Sequence, residues 1–279
     1  MKIKISLLLI TLLSLSLCVA GQDSAWTRID EGLYYGDFRV PNRLGMDGSK
    51  ILIVRIDPRI YEFRLFSASE LSLKTGPLNV REWTDKYQLI GAVNAGMFQA
   101  DLKSNVGYMK NYAHMNNPRI HKTYRSVFAF NPKKAELPPS MIFDTDVRSM
   151  KEVIAEYNTV IQNLRLIKRP RLNRWAQQDK RWSEVALGQD QDGNLLFIFS
   201  ETAYTMHELG NILLALPIRL DCAQHLEGGP LASLYLRHAG VEIKRTGSLG
   251  FPAGGNSAAE GFLPIPNVIG IMKKRPGPG

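Results

Sequence analysis

Short apolar runs closed by Pro, Gly or Asn recur along most of this chain, and they constrain its fold more than any other feature. Residues 51–57 read Ile-Leu-Ile-Val-Arg-Ile-Asp and stop at Pro58. Residues 61–66 alternate apolar and polar side chains, the period of a strand with one buried face. These two runs are expected to pair as an antiparallel hairpin. Further short strands are expected at 89–94, 126–131, 159–162, 184–188, 195–199, 234–236 and 268–271. Asp192-Gly193 predicts a tight hairpin between 184–188 and 195–199, because Gly tolerates positive φ. Helical spacing is confined to 78–87, 147–157 and 205–216. In the last of these, Thr205 and Glu208 form a capping-box pattern and Pro217 closes the helix. Residues 98–124 are irregular and read as a long loop, a kind that in compact domains is often functional. The expected fold class is α+β: a mixed, largely antiparallel sheet packed with a few helices. One domain is expected over residues 24–272, followed by a disordered tail at 273–279.

The first residues read as an export signal. Lys2 and Lys4 form a positive start, 7–19 is an apolar run, and Cys18-Val19-Ala20 puts small residues at a cleavage site before Gly21. The apolar core is too short for a comfortable membrane span. The expected location is therefore periplasmic or secreted, with residues 1–20 removed. A lipoprotein anchored through Cys18 is the weaker alternative, because Leu17 is a poor fit before a lipidated Cys. Removal of the signal leaves Cys222 alone, so no intrachain disulfide is expected. Composition is that of an ordinary globular protein, with 44% hydrophobic and 22% charged residues. The formal net charge of +9 favours anionic partners. Export argues against nucleic acid and leaves phosphate groups, acidic polysaccharide or anionic lipid as partners, the last as a binding module resting on charge alone. The densest basic stretch is Lys168, Arg169, Arg171, Arg174, Lys180 and Arg181, interleaved with Trp175 and Trp182. It suits either a sugar phosphate or solvent. Nothing in the sequence decides the oligomeric state. No cofactor or metal motif is expected. The near match to a calcium loop at 188–199 has Gly188 and Phe199 where acidic ligands belong. Gly255-Asn256-Ser257 approaches a serine-hydrolase elbow but lacks its closing Gly.

Three segments share one design, an apolar strand that runs into polar or small residues. They are Val93-Asn94-Ala95-Gly96-Met97-Phe98, Val160-Ile161-Gln162-Asn163-Leu164-Arg165, and Leu226-Glu227-Gly228-Gly229-Pro230. Strand ends deliver polar side chains to one rim of a sheet, and glycines there let backbone N–H groups approach an anion. The three segments are expected to open on one cleft.

These segments resemble the phosphodiester glycosidase family, whose bacterial members are often exopolysaccharide-related. The family's Asn-Gly-Gly-Phe-Phe is matched by Asn94-Ala95-Gly96-Met97-Phe98. Its Gln-x-Gly-Pro-x-Leu is matched by 162–167, with Leu164-Arg165 in place of Gly-Pro. Its Ile-Gly-x-x-x-x-Gly is matched by 187–193. Its Leu-Asp-Gly-Gly-Gly-Ser-Ser is matched from Leu226 to Ser233, with Glu227 in place of Asp. Its closing Val-Pro-Asn-x-Ile-Gly is matched by 265–270. The resemblance spans roughly residues 30–272 and implies a hydrolase that cleaves a sugar from a sugar phosphodiester. A non-catalytic glycan-binding or polysaccharide-assembly protein on the same fold is the alternative.

A phosphate monoester leaves easily, so this cleavage needs chiefly a base or nucleophile at the anomeric carbon and cations on the phosphate. Glu227 is the leading candidate carboxylate. Asp221 is the second, with an ion pair to Arg219 or Arg237 as its competing role. Asn94 is a candidate to orient a hydroxyl or acetamido group. His207, in the first turn of a helix, is a candidate acid. Arg125 and Arg165 are candidate phosphate clamps. Gln162, Gly96, Gly228 and Gly229 complete the expected substrate-binding rim.

Overall fold

In the computed structural model, which describes residues 25–41, 48–71, 78–248 and 261–275, every pairing between named strands is antiparallel. The largest sheet runs in the order β1 (Thr27–Asp30), β2 (Leu33–Arg39), β3 (Lys50–Ile56), β13 (Leu195–Tyr204), β12 (Trp182–Asp190), β14 (Leu220–Gly228) and β11 (Arg165–Ile167). A second sheet orders β7 (His114–Asn117), β6 (Met109–Asn111), β10 (Tyr157–Asn163), β8 (Ser126–Pro132) and β9 (Ser140–Asp144). A third orders β16 (Val241–Thr246), β15 (Ser233–His238), β5 (Gly91–Asn94), β17 (Asn267–Lys273) and β4 (Tyr61–Ser67). Among the described residues four short α-helices accompany them: α1 (Ala68–Leu71), α2 (Val80–Lys86), α3 (Met150–Glu156) and α4 (Met206–Ala215). The fold is thus α+β but dominated by sheet, and its sheets are antiparallel rather than mixed.

The three sheets share one core. Val54, Phe197 and Leu226 from the first meet Phe128 and Ile161 from the second and Phe63, Leu234 and Ile269 from the third. The Phe63 ring packs edge-on against Phe128 at 5.5 Å and against Phe197 at 6.3 Å, geometry that aromatic quadrupoles favour. Strand alternation then sends the intervening side chains outward, where each sheet is covered by a helix. Val127 and Val160 meet Val153 of α3. Ala92 and Val268 meet Trp83 of α2. Ile53 and Ile198 meet Leu209 and Leu213 of α4. The three longer helices begin alike, with Asn79, Ser149 and Thr205 each closing a capping box with Glu82, Glu152 and Glu208.

Several expectations need correction. Strands β3 and β4 do not form a hairpin. The Asp57 carbonyl accepts from the amides of Ile60 and Tyr61, and this corner sends the chain into a different sheet. There β3 pairs with β2 and β13, and β4 pairs with β17. The expected loop at 98–124 contains the hairpin β6–β7, which Tyr112 turns with φ of 49°. Lys273 is the last residue of β17, and the Lys274 amide donates to the Ile60 carbonyl. The chain therefore continues in the sheet beyond the expected start of the tail. The Asp192-Gly193 hairpin forms as expected, with Gly193 at φ of 87°. The export signal, the Gly255-Asn256-Ser257 segment and residues 276–279 lie outside the described residues. Among the described residues, no helix is long and apolar enough to cross a membrane.

Candidate functional site

Three strand ends from three different sheets are tied together. The Asn163 side-chain amide, at the end of β10, donates to the Ala95 carbonyl just past β5 (2.9 Å). The His225 amide of β14 donates to the Leu164 carbonyl (2.9 Å). Asn94 Nδ2, at the end of β5, donates to the Leu231 carbonyl (3.0 Å), and the Ser233 amide donates to Asn94 Oδ1 (2.8 Å). These bonds place the ends of β5, β10 and β14 on one rim, with a 3-10 turn at Gly229–Leu231 held against it.

The rim carries one carboxyl with unusual surroundings. Val185 faces Glu227 across the β12–β14 ladder, whereas Ala186 faces His225. Leu226 is therefore an extra residue, a β-bulge of the kind that re-aims a neighbouring side chain. Leu226 fills the central core. His225 lies under the rim, 3% exposed, with its Nδ1 bonded to the carboxylate of Glu184, itself 1% exposed. Trp182 Nε1 donates to the other Glu184 oxygen (2.7 Å). The backbone at Gly228 presses on the Trp182 ring so closely that a Cβ there would overlap it. Glu227 is half-buried and accepts a hydrogen bond from the Gly228 amide (2.9 Å).

Electrostatics follow from this packing. Burial pushes the Glu227 carboxyl up to about 7, against the opposing pulls of the Gly228 amide and of His225, with Glu184 adding to the rise. For His225, burial works to lower the proton affinity, but the Glu184 carboxylate outweighs it and the imidazole is held above its ordinary value. Tyr124 is raised by burial and then by the charge of Glu227, which marks it as a neighbour of the carboxyl. A carboxyl that titrates near neutrality beside a buried imidazole–carboxylate pair is equipped to exchange protons at ordinary pH.

The expected site residues divide sharply. Glu227, Gly228 and Gly229 form the rim, and Gly229 takes φ of 66°, which favours glycine there. Asn94 is 1% exposed and spends both ends of its amide on the turn that follows Glu227. It positions the rim and is not free to orient substrate. Gln162 is likewise fully used. Its Oε1 accepts from the amides of Tyr108 and His121, and its Nε2 donates to the carbonyls of His121 and Tyr124. It fastens the 108–124 segment to β10. Gly96 passes so near Asn105 and Asn163 that a side chain there would overlap both amides. Arg125 is exposed.

The other candidates lie elsewhere or are engaged. Arg165 is held by Asp144 (3.1 Å) and Asp146 (2.6 Å), so its guanidinium is occupied as an internal ion pair. Both ring nitrogens of His207 are bonded, to the Trp175 carbonyl and to Asn211, and it serves to latch the basic stretch onto α4. Asp221 sits six residues from Glu227 on the same strand, about 15 Å away at a strand's rise once its two bulged residues are discounted. It pairs with Arg169 (3.1 Å), not with Arg219, which holds Asp192, or Arg237, which holds Asp85. The basic stretch is mostly internal too: Lys168 meets Asp146, Arg171 caps the Leu214 and Leu220 carbonyls, and Arg181 meets Glu208. Among the described residues no cluster of side chains suits a metal ion.

Glu184, His225, Trp182 and Tyr124 join the site without having been among its expected members. Glu184 and His225 are ionisable residues at buried positions of β12 and β14, and an ionisable side chain inside a buried strand is the signal that could have found them.

The comparisons with known proteins agree with this architecture. A profile of the phosphodiester glycosidase family matches residues 87–272, and the chain belongs to that family. The fold is similar to a hypothetical protein from Synechocystis, with TM-score 0.59 and 13% identity. That similarity covers 89% of this chain and 63% of that one, so this chain spans less than two thirds of its length. It is also similar to the zebrafish N-acetylglucosamine-1-phosphodiester alpha-N-acetylglucosaminidase catalytic domain, auto-inhibited by its pro-peptide. There the TM-score is 0.56 and the identity 13%, over 87% of this chain and 82% of the other. No protein of curated function matches by sequence.

Proposed function

We propose that the protein is a hydrolase that releases a sugar from a sugar phosphodiester on an envelope or extracellular glycan. The observation that carries this reading is Glu227, half-exposed on a bulge at the sheet rim beside the buried His225 and Glu184. In the proposed step Glu227 takes a proton from water. The water oxygen bonds to the anomeric carbon, the bond from that carbon to the phosphate oxygen breaks, and the phosphate monoester leaves with the electron pair. A base whose proton affinity lies near neutrality is the strongest that is still ionised in neutral water. His225 and Glu184 act as a positioning pair beneath it.

One observation favours the non-catalytic alternative: Arg165, the arginine nearest the rim in sequence, is neutralised by two aspartates. Incubation with a panel of sugar phosphodiesters separates the two. Released sugar is expected with at least one of them. Glycan binding without release from any member would replace the hydrolase reading with the binding one.

We further propose that the protein is exported and that its mature chain starts near Gly21. Mass spectrometry of the cell envelope fraction is expected to find that terminus. Intact Met1 or an acylated Cys18 would refute it.

A further inference from the structure

Four of the seven exposed large apolar side chains among the described residues lie within 98–124, the segment that Gln162 fastens to β10. They are Leu102, Tyr112, Met115 and Ile120, with Leu102 62% and Ile120 52% exposed. Two of them stand where a turn ordinarily carries Gly or Asn: Leu102 has φ of 55° and Tyr112 φ of 49°. At these positions the chain gives up stability twice, in backbone strain and in apolar surface left in water. A cluster of apolar side chains kept in water at that cost marks a contact surface.

Three of the four are neighbours. The Leu102 amide donates to the Gln99 carbonyl (3.0 Å) and the Gln99 amide to the Ser104 carbonyl (2.8 Å), which closes a turn over 99–104. One Asp101 carboxylate oxygen accepts from the amides of Lys103 and Ser104 (both 2.9 Å) and the other from the Ser104 hydroxyl (2.6 Å), so the turn is held from within. The Lys103 carbonyl accepts from the Asn116 side chain (3.1 Å), which sets the turn against β7 one residue from Met115. Gln99 also lines a concavity of about 440 Å³ together with Ile120. The turn that presents Leu102 therefore borders both Met115 and Ile120.

The charge around them has one sign. Between 98 and 125 the chain has Lys103, Lys110, Arg119, Lys122 and Arg125 against a single acid, Asp101. None of these five cations is in an ion pair among the described residues, whereas Arg165, Lys168, Arg169 and Arg181 are each matched to an acid. Lys110 stands across the β6–β7 ladder from Met115. Arg119 and Lys122 line the concavity with Ile120, and no carboxylate does. A second copy of the protein would set these cations against one another. An acidic polysaccharide would answer the charge but leave Leu102 and Ile120 in water. A bilayer that contains anionic lipid answers both, with headgroups for the cations and the acyl boundary for the apolar side chains.

We infer that residues 98–122 form a docking surface for an anionic lipid bilayer. Leu102, Met115 and Ile120 enter the interface, and Lys103, Lys110, Arg119 and Lys122 meet the headgroups. This docking does not require that the protein hydrolyse anything.

The probes are vesicles of phosphatidylcholine alone and of equimolar phosphatidylglycerol and phosphatidylcholine, and the full chain is used throughout. Co-sedimentation with the mixed vesicles is expected, weakening as salt rises from about 0.01 M to about 0.15 M. Lys103→Gln/Arg119→Gln/Lys122→Gln is expected to weaken it about fivefold for each charge removed. Leu102→Asn/Ile120→Asn is expected to weaken it about tenfold or more. Val147→Asn, at an exposed apolar position outside the segment, is expected to match the wild type. Asn accepts a positive φ, so Leu102→Asn should melt at or above the wild type, which a merely structural leucine would not allow. The mixed vesicles are also expected to slow amide exchange within 98–122, a readout independent of the apolar run at 7–19 that every variant shares. Absent binding, or exchange at 98–122 that the mixed vesicles leave unchanged, would overturn the surface. Equal slowing by phosphatidylcholine alone would overturn its anionic requirement. Binding that falls with the cations but not with Leu102→Asn/Ile120→Asn would replace the bilayer by a soluble polyanion.

Discussion

Glu227→Gln is expected to slow sugar release by about 10²-fold to 10⁴-fold while leaving the melting temperature at or above that of the wild type. Glutamine keeps the shape of the side chain and can still accept from the Gly228 amide, but it cannot take a proton. The pH dependence gives a second readout. With the carboxyl held near 7 and acting as base, kcat/KM should rise with pH through about 7 and then level. A profile that falls through the same region would assign Glu227 as an acid. Stability should move the opposite way. The folded carboxyl binds its proton more tightly than the unfolded one, whose ordinary value is 4.5. Its contribution is therefore fully present below 4.5 and is lost as pH rises through about 7. His225, also held above its ordinary value by Glu184, contributes in the same direction. Glu227→Gln should flatten part of this decline in denaturation midpoints measured from pH 5 to 8. Wild-type turnover in the variant would remove Glu227 from the mechanism.

Glu184→Ala is expected to destabilise the protein more than any of the other substitutions. It removes the partner of a fully buried imidazole and also strands the Trp182 N–H. Breaking a buried pair by deleting one member costs about 3–5 kcal/mol, which for a domain of this size corresponds to a loss of about 6–20 °C in melting temperature. Glu184→Gln, which can still bond both neighbours, should lose much less. If Glu184→Ala melts with the wild type, the His225–Glu184 contact is not holding the rim, and the positioning role fails with it. Differential scanning calorimetry on the three proteins decides this.

What the sequence made legible follows from the range of the forces involved. Local chemistry was readable: the Thr205–Glu208 cap, the Asp192-Gly193 turn, and the strands at β5, β8, β10, β12 and β13 all depend on residues within a few positions of each other. That the three strand ends meet was also readable, because strands ending in polar or small residues suggest a shared edge, but the cleft expected there was not, since Asn94 and Gln162 are buried with their amides bonded to backbone. Partner choice was not. The 51–57 and 61–66 runs looked like a hairpin because the Asp57-Pro58 corner resembles a turn, and only long-range pairing with β13 and β17 shows that it is a crossing between sheets. Asp221 found Arg169 because the 168–182 segment folds back over β14, which no local spacing encodes. Gln162 and Asn94 looked like substrate ligands because polar residues at strand ends often are. Burial instead commits every polar atom they have to the backbone. The bulge at Leu226 left no mark in the sequence, yet it decides where Glu227 stands.

Pro230 has a consequence for the unfolded ensemble. It occupies the first turn of the 3-10 helix at Gly229–Leu231, where the family pattern has a third glycine. A glycine there would wander widely before folding, whereas the ring of proline has already chosen its φ. A proline that suits its native conformation is worth about 0.4–1 kcal/mol through the freedom it withholds from the disordered chain. The mount behind the Glu227 carboxyl is thus partly set before the sheets assemble, and Asn94 has only to catch a turn that is already bent.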